Sequence, residues 1–246
     1  TARRNMAGAG TQTAGLAFGG SDPPTSVGTE SYNGTSWTVV NNLTTGRMYL
    51  AGCGTNTAAL AFGGYPTNLA VTETWNGTNW TEVNDLNTGR QRLSGAGTNT
   101  AALAFGGEAP AASALTETWN GTNWAEVNDL NTARKQLAGA GTNTAALAFG
   151  GTISFPSLSA LTESWNGTSW TEVNDLNTAR SYLAGCGATN TASLAFGGIP
   201  SAVTAVTESW NGTNWTEVAD LNIARTELGG AGTNTSALAF GGYNSS

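Results

Sequence analysis

Leu-Ala-Phe-Gly-Gly occurs six times in a chain of 246 residues, its second glycine falling at Gly20, Gly64, Gly107, Gly151, Gly198 and Gly242. The spacings are 44, 43, 44, 47 and 44 residues, and self-similarity at such a period is the signature of repeated supersecondary units. One unit of this size cannot bury its own apolar face, so the fold must stack like units on one another. A second motif, Asn-Gly-x-x-Trp, occurs only five times, closing at Trp37, Trp80, Trp124, Trp170 and Trp215. The mismatch of six and five bears directly on how the stack closes.

Within a unit the residues read as short strands. Leu103 and Phe105 alternate with Ala102 and Ala104, the period of two expected of a pleated strand with unequal faces, and Gly106-Gly107 ends it. Thr116 to Trp119 forms another candidate strand, and Asn120-Gly121 after it suits a tight hairpin turn. Trp124 to Val127 resumes the β pattern, while the strand before all of these, Leu93 to Gly97, contains two glycines, a mark of close backbone approach. Each unit therefore predicts four antiparallel strands, here A (Gly-Ala-Gly), B (Leu-Ala-Phe-Gly-Gly), C (Thr-Glu-x-Trp) and D (opening on the second Trp). Glycine-rich A strands fit a radial arrangement in which the innermost strands crowd an axis. The fold class expected is an all-β propeller of four-stranded blades.

The order Arg, glycine-rich strand, aliphatic-aromatic-Gly-Gly, aromatic before Asn-Gly, spaced Trp and Leu before the next Arg resembles the kelch repeat. One copy runs through Arg47, Gly63, Gly64, Trp75, Trp80, Leu86 and Arg90; the next places Gly106, Gly107, Trp119 and Trp124 before Arg134. Trp165 and Trp170 precede Arg180, and Trp210 and Trp215 precede Arg225. The resemblance covers nearly the whole chain, and is similar to a phage or extracellular structural version of the family. It implies a closed propeller, used for protein interaction in some members and built into enzymes in others. The very short C-to-D turn and the enrichment in Ala and Thr depart from the most typical kelch pattern.

As a single domain over 1–246, the chain divides into units at about 4–46, 47–89, 90–133, 134–179 and 180–224, with a half unit at 225–246. Six blades with an incomplete sixth are favoured over five blades plus a surplus hairpin. Thr1-Ala2-Arg3 matches the junction that follows each D strand, such as Thr178-Ala179-Arg180, so C and D strands upstream of Thr1 are expected to complete the last blade. Cys53 and Cys186 fall in the second and fifth A strands, on opposite sides of a six-membered ring. A disulfide needs Cα atoms within roughly 7 Å, so these read as two small buried thiols.

Trp75, Trp119, Trp165 and Trp210, with Tyr32, are expected to pack between blades, and the second Trp series to cap the outer layer. The recurring Arg residues are expected to pair with Glu30, Glu73, Glu117, Glu163 and Glu208, or to lie in solvent. What differs between copies is the residue pair after each Arg and the connector from B to C. If those pairs emerge on one face, they form a nonrepeating binding surface on a rigid scaffold; Tyr49, Arg92, Lys135 and Tyr182 are the binding candidates.

The function classes narrow by subtraction. Sixteen acidic against nine basic residues, a formal charge of −7 and no basic run give no footprint for nucleic acid, and no apolar run is long enough for direct membrane insertion. There is no His, which removes a Ser-His-Asp triad and imidazole metal ligands. The acids at Asp85, Asp129, Asp175 and Asp220, and at Glu82, Glu126, Glu172 and Glu217, recur as scaffold rather than as one unique pair. No catalytic residue, metal or cofactor is expected. The expected function is a noncatalytic structural or recognition module on a virion surface or extracellular assembly. Its expected partners are neighbouring assembly proteins or surface glycans, with a homo-oligomer also in view. A carbohydrate-binding attachment protein and a loop-based glycoside hydrolase are the alternatives.

Overall fold

The computed structural model describes residues 1–22 and 24–244 and shows an all-β propeller. Five sheets each contain four antiparallel strands in chain order from the axis outward. Blade one comprises Ala7–Thr11, Ala14–Phe18, Thr29–Tyr32 and Trp37–Val40, and blade two Ala51–Gly54, Ala59–Phe62, Thr72–Trp75 and Trp80–Val83. Blade three comprises Ser94–Gly97, Ala102–Phe105, Thr116–Trp119 and Trp124–Glu126, and blade four Ala138–Gly141, Ala146–Phe149, Thr162–Trp165 and Trp170–Val173. Blade five comprises Ala184–Thr189, Ala192–Phe196, Thr207–Trp210 and Trp215–Glu217. A two-stranded hairpin, Gly229–Thr233 and Ser236–Phe240, follows, and its first strand packs beside the A strands of both blade five and blade one.

Five four-stranded blades are thus present, the count of the alternative expectation, and the preference for six is corrected. The physical reason is strand pairing: among the described residues Gly229–Thr233 and Ser236–Phe240 form a sheet with each other and no third strand, so the sixth place around the axis holds two strands where the others hold four.

The unequal faces of strand B explain how blades stack. Leu60 and Phe62 of blade two join Ala102, Ala104, Trp119 and Trp124 of blade three in one buried cluster. In blades two to five the small face of strand B leaves room for two indoles of its own blade and the large residues of the blade before. The same exchange recurs from blade to blade, and Phe240 of the hairpin joins Met6, Ala17 and Trp37 of blade one. The ring of each Phe lies across the mid-strand glycine of the next A strand. A Cβ added at Gly139 would stand 2.4 Å from Phe105 Cζ, and one at Gly8 would stand 2.3 Å from Phe240 Cζ. Glycine is required there because an aromatic ring occupies the place of its side chain.

The two Trp series divide their work differently from expectation. Both lie at blade interfaces, but the second series makes the crossing contacts. Trp124 Nε1 donates to Thr72 Oγ1 of the preceding blade at 3.1 Å and meets Phe62 edge-on, with ring centroids 5.0 Å apart. Trp119 instead donates within its own blade to the Asn99 carbonyl at 3.0 Å. The second series therefore fastens neighbours together rather than capping an outer layer, since its indole N–H reaches the first Thr of the adjacent C strand.

The repeated Arg and Glu residues pair inside a blade. Arg47–Glu73, Arg90–Glu117, Arg134–Glu163 and Arg180–Glu208 lie 2.8 to 3.1 Å apart with both side chains essentially inaccessible, and Arg3–Glu30 lies 3.2 Å apart. Burial lowers the pKa of Arg90, and the Glu117 carboxylate opposes that loss. The second oxygen of Glu117 accepts from the backbone N–H of Asn87 at 2.7 Å, so one carboxylate ties the Arg to the loop that delivers it. Arg225 shares no such pair among the described residues, because its unit has no C strand; its Nη1 donates to the Gly241 carbonyl.

The Asn-Gly turn also differs from the expected tight hairpin. Tyr32 pairs with Trp37 across four intervening residues, and Asn33 Oδ1 accepts from the N–H groups of Thr35 and Ser36. Only Gly34 needs positive φ, at 92°, so Asn serves through its side chain rather than through a left-handed backbone. The recurring Asp residues do comparable work: Asp129 Oδ1 accepts from the Thr116 N–H at 2.9 Å at the start of strand C.

Gly139→Ala tests the seat of the aromatic ring. It forces the added methyl against Phe105 and should lower stability by about 1–3 kcal/mol, the usual cost of overpacking. Denaturant unfolding measures the loss, and Phe105→Leu in the same chain should recover part of it. An unchanged midpoint for Gly139→Ala would contradict the contact.

Candidate functional site

The repeated Arg is followed by a variable pair whose two residues have different duties. The first pairs with the residue after Gly-Gly on its own blade: Met48 with Tyr65, Gln91 with Glu108, Lys135 with Thr152, Ser181 with Ile199 and Thr226 with Tyr243. The second turns inward. Asn5, Tyr49, Arg92, Gln136, Tyr182 and Glu227 all have φ between 55° and 59°, the left-handed region that non-glycine residues seldom enter.

These six residues form a closed ring of backbone hydrogen bonds about the axis. Tyr49 N–H donates to the Asn5 carbonyl at 3.0 Å, Arg92 to Tyr49 at 2.8 Å and Gln136 to Arg92 at 2.9 Å. Tyr182 then donates to Gln136, Glu227 to Tyr182 and Asn5 to Glu227, the last at 2.9 Å. A left-handed conformation costs roughly 1–2 kcal/mol per residue. The mutual bonds offset that cost and aim six side chains into one mouth.

Those six side chains line a cavity of about 100 Å³, floored by Met6, Leu50, Leu93, Leu137, Leu183 and Leu228. Deeper along the axis the wall reduces to Gly and Ala, with Cys53 and Cys186 among them. Both cysteines are free, and burial pushes each thiol up to about 12.

The side chains of the mouth engage one another. Gln136 Nε2 donates to the Tyr182 hydroxyl at 2.6 Å, and the Arg92 guanidinium lies 4.6 Å from the Tyr49 ring centroid, within cation–π range. Arg92 Nη1 donates to Glu108 Oε2 at 2.5 Å, and Lys135 Nζ to Glu108 Oε1 at 2.6 Å. Burial would raise Glu108, but the bonds from Lys135 and Arg92 hold its carboxyl below the usual range. At Glu227 the balance goes the other way: burial lifts the carboxyl above its ordinary value despite Arg4, Asn5 and Arg92. Burial also raises the Tyr182 hydroxyl, which therefore stays protonated at neutral pH.

Of the four candidates read from the sequence, Tyr49, Arg92 and Tyr182 converge on this cavity, while Lys135 lies outside its lining as a partner of Glu108. Asn5, Gln136 and Glu227 line it too and were not among those candidates. Position decides membership: in each pair only the second residue faces the axis, a rule that residue type alone does not show. Among the described residues no group of three or more His, Cys, Asp or Glu could hold a metal ion.

No family model matches the chain, and no curated protein matches it in sequence. Among solved structures, that of YjhT superposes with a TM-score of 0.81 at 11% identity, covering 99% of this chain and 92% of its own. The likeness establishes the β-propeller fold and nothing about the ligand.

Substitution at Gln136 tests the ring backbone. Gln136→Val places a β-branched residue at positive φ and should destabilise the protein by about 1–2 kcal/mol more than Gln136→Gly, which gives up the same side-chain bonds to Tyr182 and Thr152 but relieves the strain. Denaturant midpoints in the reverse order would contradict a left-handed residue at this place.

Proposed function

We propose that the protein is a noncatalytic structural or recognition module that presents the axial mouth to a partner in a virion-surface or extracellular assembly. One observation carries the reading. Six places with the same backbone geometry hold Asn, Tyr, Arg, Gln, Tyr and Glu, while the layer directly beneath holds Met and five Leu. The scaffold repeats and the mouth does not, as suits a rigid platform displaying a particular set of contacts.

The kelch resemblance supports a role in interaction, and the low charge supports display in an assembly. The chemistry of the lining agrees with recognition: Glu227 is its one carboxylate, whereas glycoside hydrolysis ordinarily needs two acids flanking the bond. Tyrosine and amide side chains over an apolar floor also suit a surface glycan, the favoured partner should the contact be to carbohydrate rather than protein.

A Tyr49→Ala, Tyr182→Ala double variant tests this. Surface-immobilised glycans and the protein's native assembly should bind the wild-type chain saturably and without turnover. The double variant should lose most of that binding at an unchanged unfolding midpoint. Product formation from a bound glycan that Glu227→Gln abolishes would overturn the noncatalytic reading, and binding indifferent to the double variant would remove the mouth from it.

A further inference from the structure

The charges of the mouth narrow what it accepts. Of the residues lining the cavity, Arg92 and Glu227 are the two that carry charge. They take the third and sixth places in the closed hydrogen-bond ring and so face each other across the axis. Tyr49 and Tyr182 are the second opposed pair, and Asn5 and Gln136 the third. A gradient from cation to anion therefore crosses the cavity between two aromatic side chains.

Neither charge is fully used by the protein itself. Arg92 is engaged at Nη1 with Glu108, but its side chain is 24% exposed and lines the cavity, so the guanidinium stays within reach of a ligand there. Glu227 Oε2 accepts from Asn5 Nδ2 at 3.2 Å and lies 3.4 Å from Arg4 Nη1, both longer than a good charge-assisted bond. Its side chain is 14% exposed and lines the cavity, so the carboxylate can still accept a stronger donor from a ligand.

We propose that the mouth binds a small zwitterion, with its ammonium at Glu227, its carboxylate at Arg92 and its carbon skeleton between Tyr49 and Tyr182. The proposal rests on the recognition reading above and names the ligand class for the same site. A ligand with one charge would match one of the two opposed groups, whereas a zwitterion matches both and adds no net charge. The cavity of about 100 Å³ limits the buried part to the size of a small amino acid. The leucine floor keeps it at the mouth, away from the glycine-lined channel below.

Calorimetric titration of the full chain with glycine and γ-aminobutyrate, against butyrate, butylamine and a neutral monosaccharide, tests the proposal. At least one zwitterion should bind at about millimolar Kd or tighter, roughly tenfold or more above either single-charge analogue. Arg92→Gln and Glu227→Gln should each weaken that binding by about tenfold or more, and Glu82→Gln, on an exposed D strand, should leave it unchanged. The comparison of ligands needs only the wild-type chain and so decides the matter even where a variant misfolds. Equal binding of butyrate or butylamine overturns the proposal, as does the absence of zwitterion binding at about 10 mM. If the monosaccharide or the native assembly still binds in that case, the recognition reading stands and only the ligand class falls. If neither binds, both fall.

Discussion

The seat of an aromatic ring on a glycine governs this molecule. Each Phe of Leu-Ala-Phe-Gly-Gly lies across the mid-strand glycine of the next A strand, so the innermost strands can approach only where there is no Cβ. That close approach lets the backbone ring form at the mouth, because the Arg-x-x-Leu segment enters directly before the glycine strand. The same displacement makes the small face of strand B face the large face of its neighbour, leaving the gap that two indoles fill. Burying a Phe or Trp completely is worth about 1.5–3 kcal/mol or somewhat more by transfer, and the contact repeats around the axis. The buried Arg–Glu pairs set geometry more than they stabilise. Their desolvation consumes much of the Coulombic gain, while removing one partner would leave a costly unpaired charge.

Much of this architecture is legible in the sequence. The period, the strand order and the glycine-rich inner strand follow from Gly-Gly spacing and alternation alone, whereas the recurrence of Arg and Glu leaves pairing and solvent exposure equally open, and the buried pairs decide it. The number of complete blades is less accessible, because six copies of A and B are compatible both with a sixth blade and with a hairpin in its place. The first Trp series packs between blades as expected, but the interface role of the second series is not legible for a similar reason. Trp119 and Trp124 are directly paired across strands C and D, and only the reach of the Trp124 indole to Thr72 shows that the second series also bonds to the neighbouring blade.

The candidate site was half visible. Variation after each Arg singled out Tyr49, Arg92 and Tyr182, but Lys135 occupies the first place of its pair, where the backbone bridges to Thr152. Gln136, next in the chain, takes the left-handed turn and points into the mouth. Asn5 does not stand out in a chain rich in Asn, Gln136 does not because residue type alone does not show which place of the pair faces the axis, and Glu227 lies in a unit that looks incomplete. Its contribution depends on the hairpin closing the circle, which places it beside Asn5 and opposite Arg92.

The mouth exists as described only if a two-stranded unit closes the ring as firmly as the complete blades do. Residue-resolved amide hydrogen exchange measures this directly. Closure predicts that the amides of Asn5 and Glu227, whose bonds span the junctions of the hairpin, exchange as slowly as those of Arg92 and Gln136 between complete blades. Free exchange at Asn5 and Glu227 with protection at Arg92 and Gln136 would mean an open ring, and with it a mouth that does not exist as described.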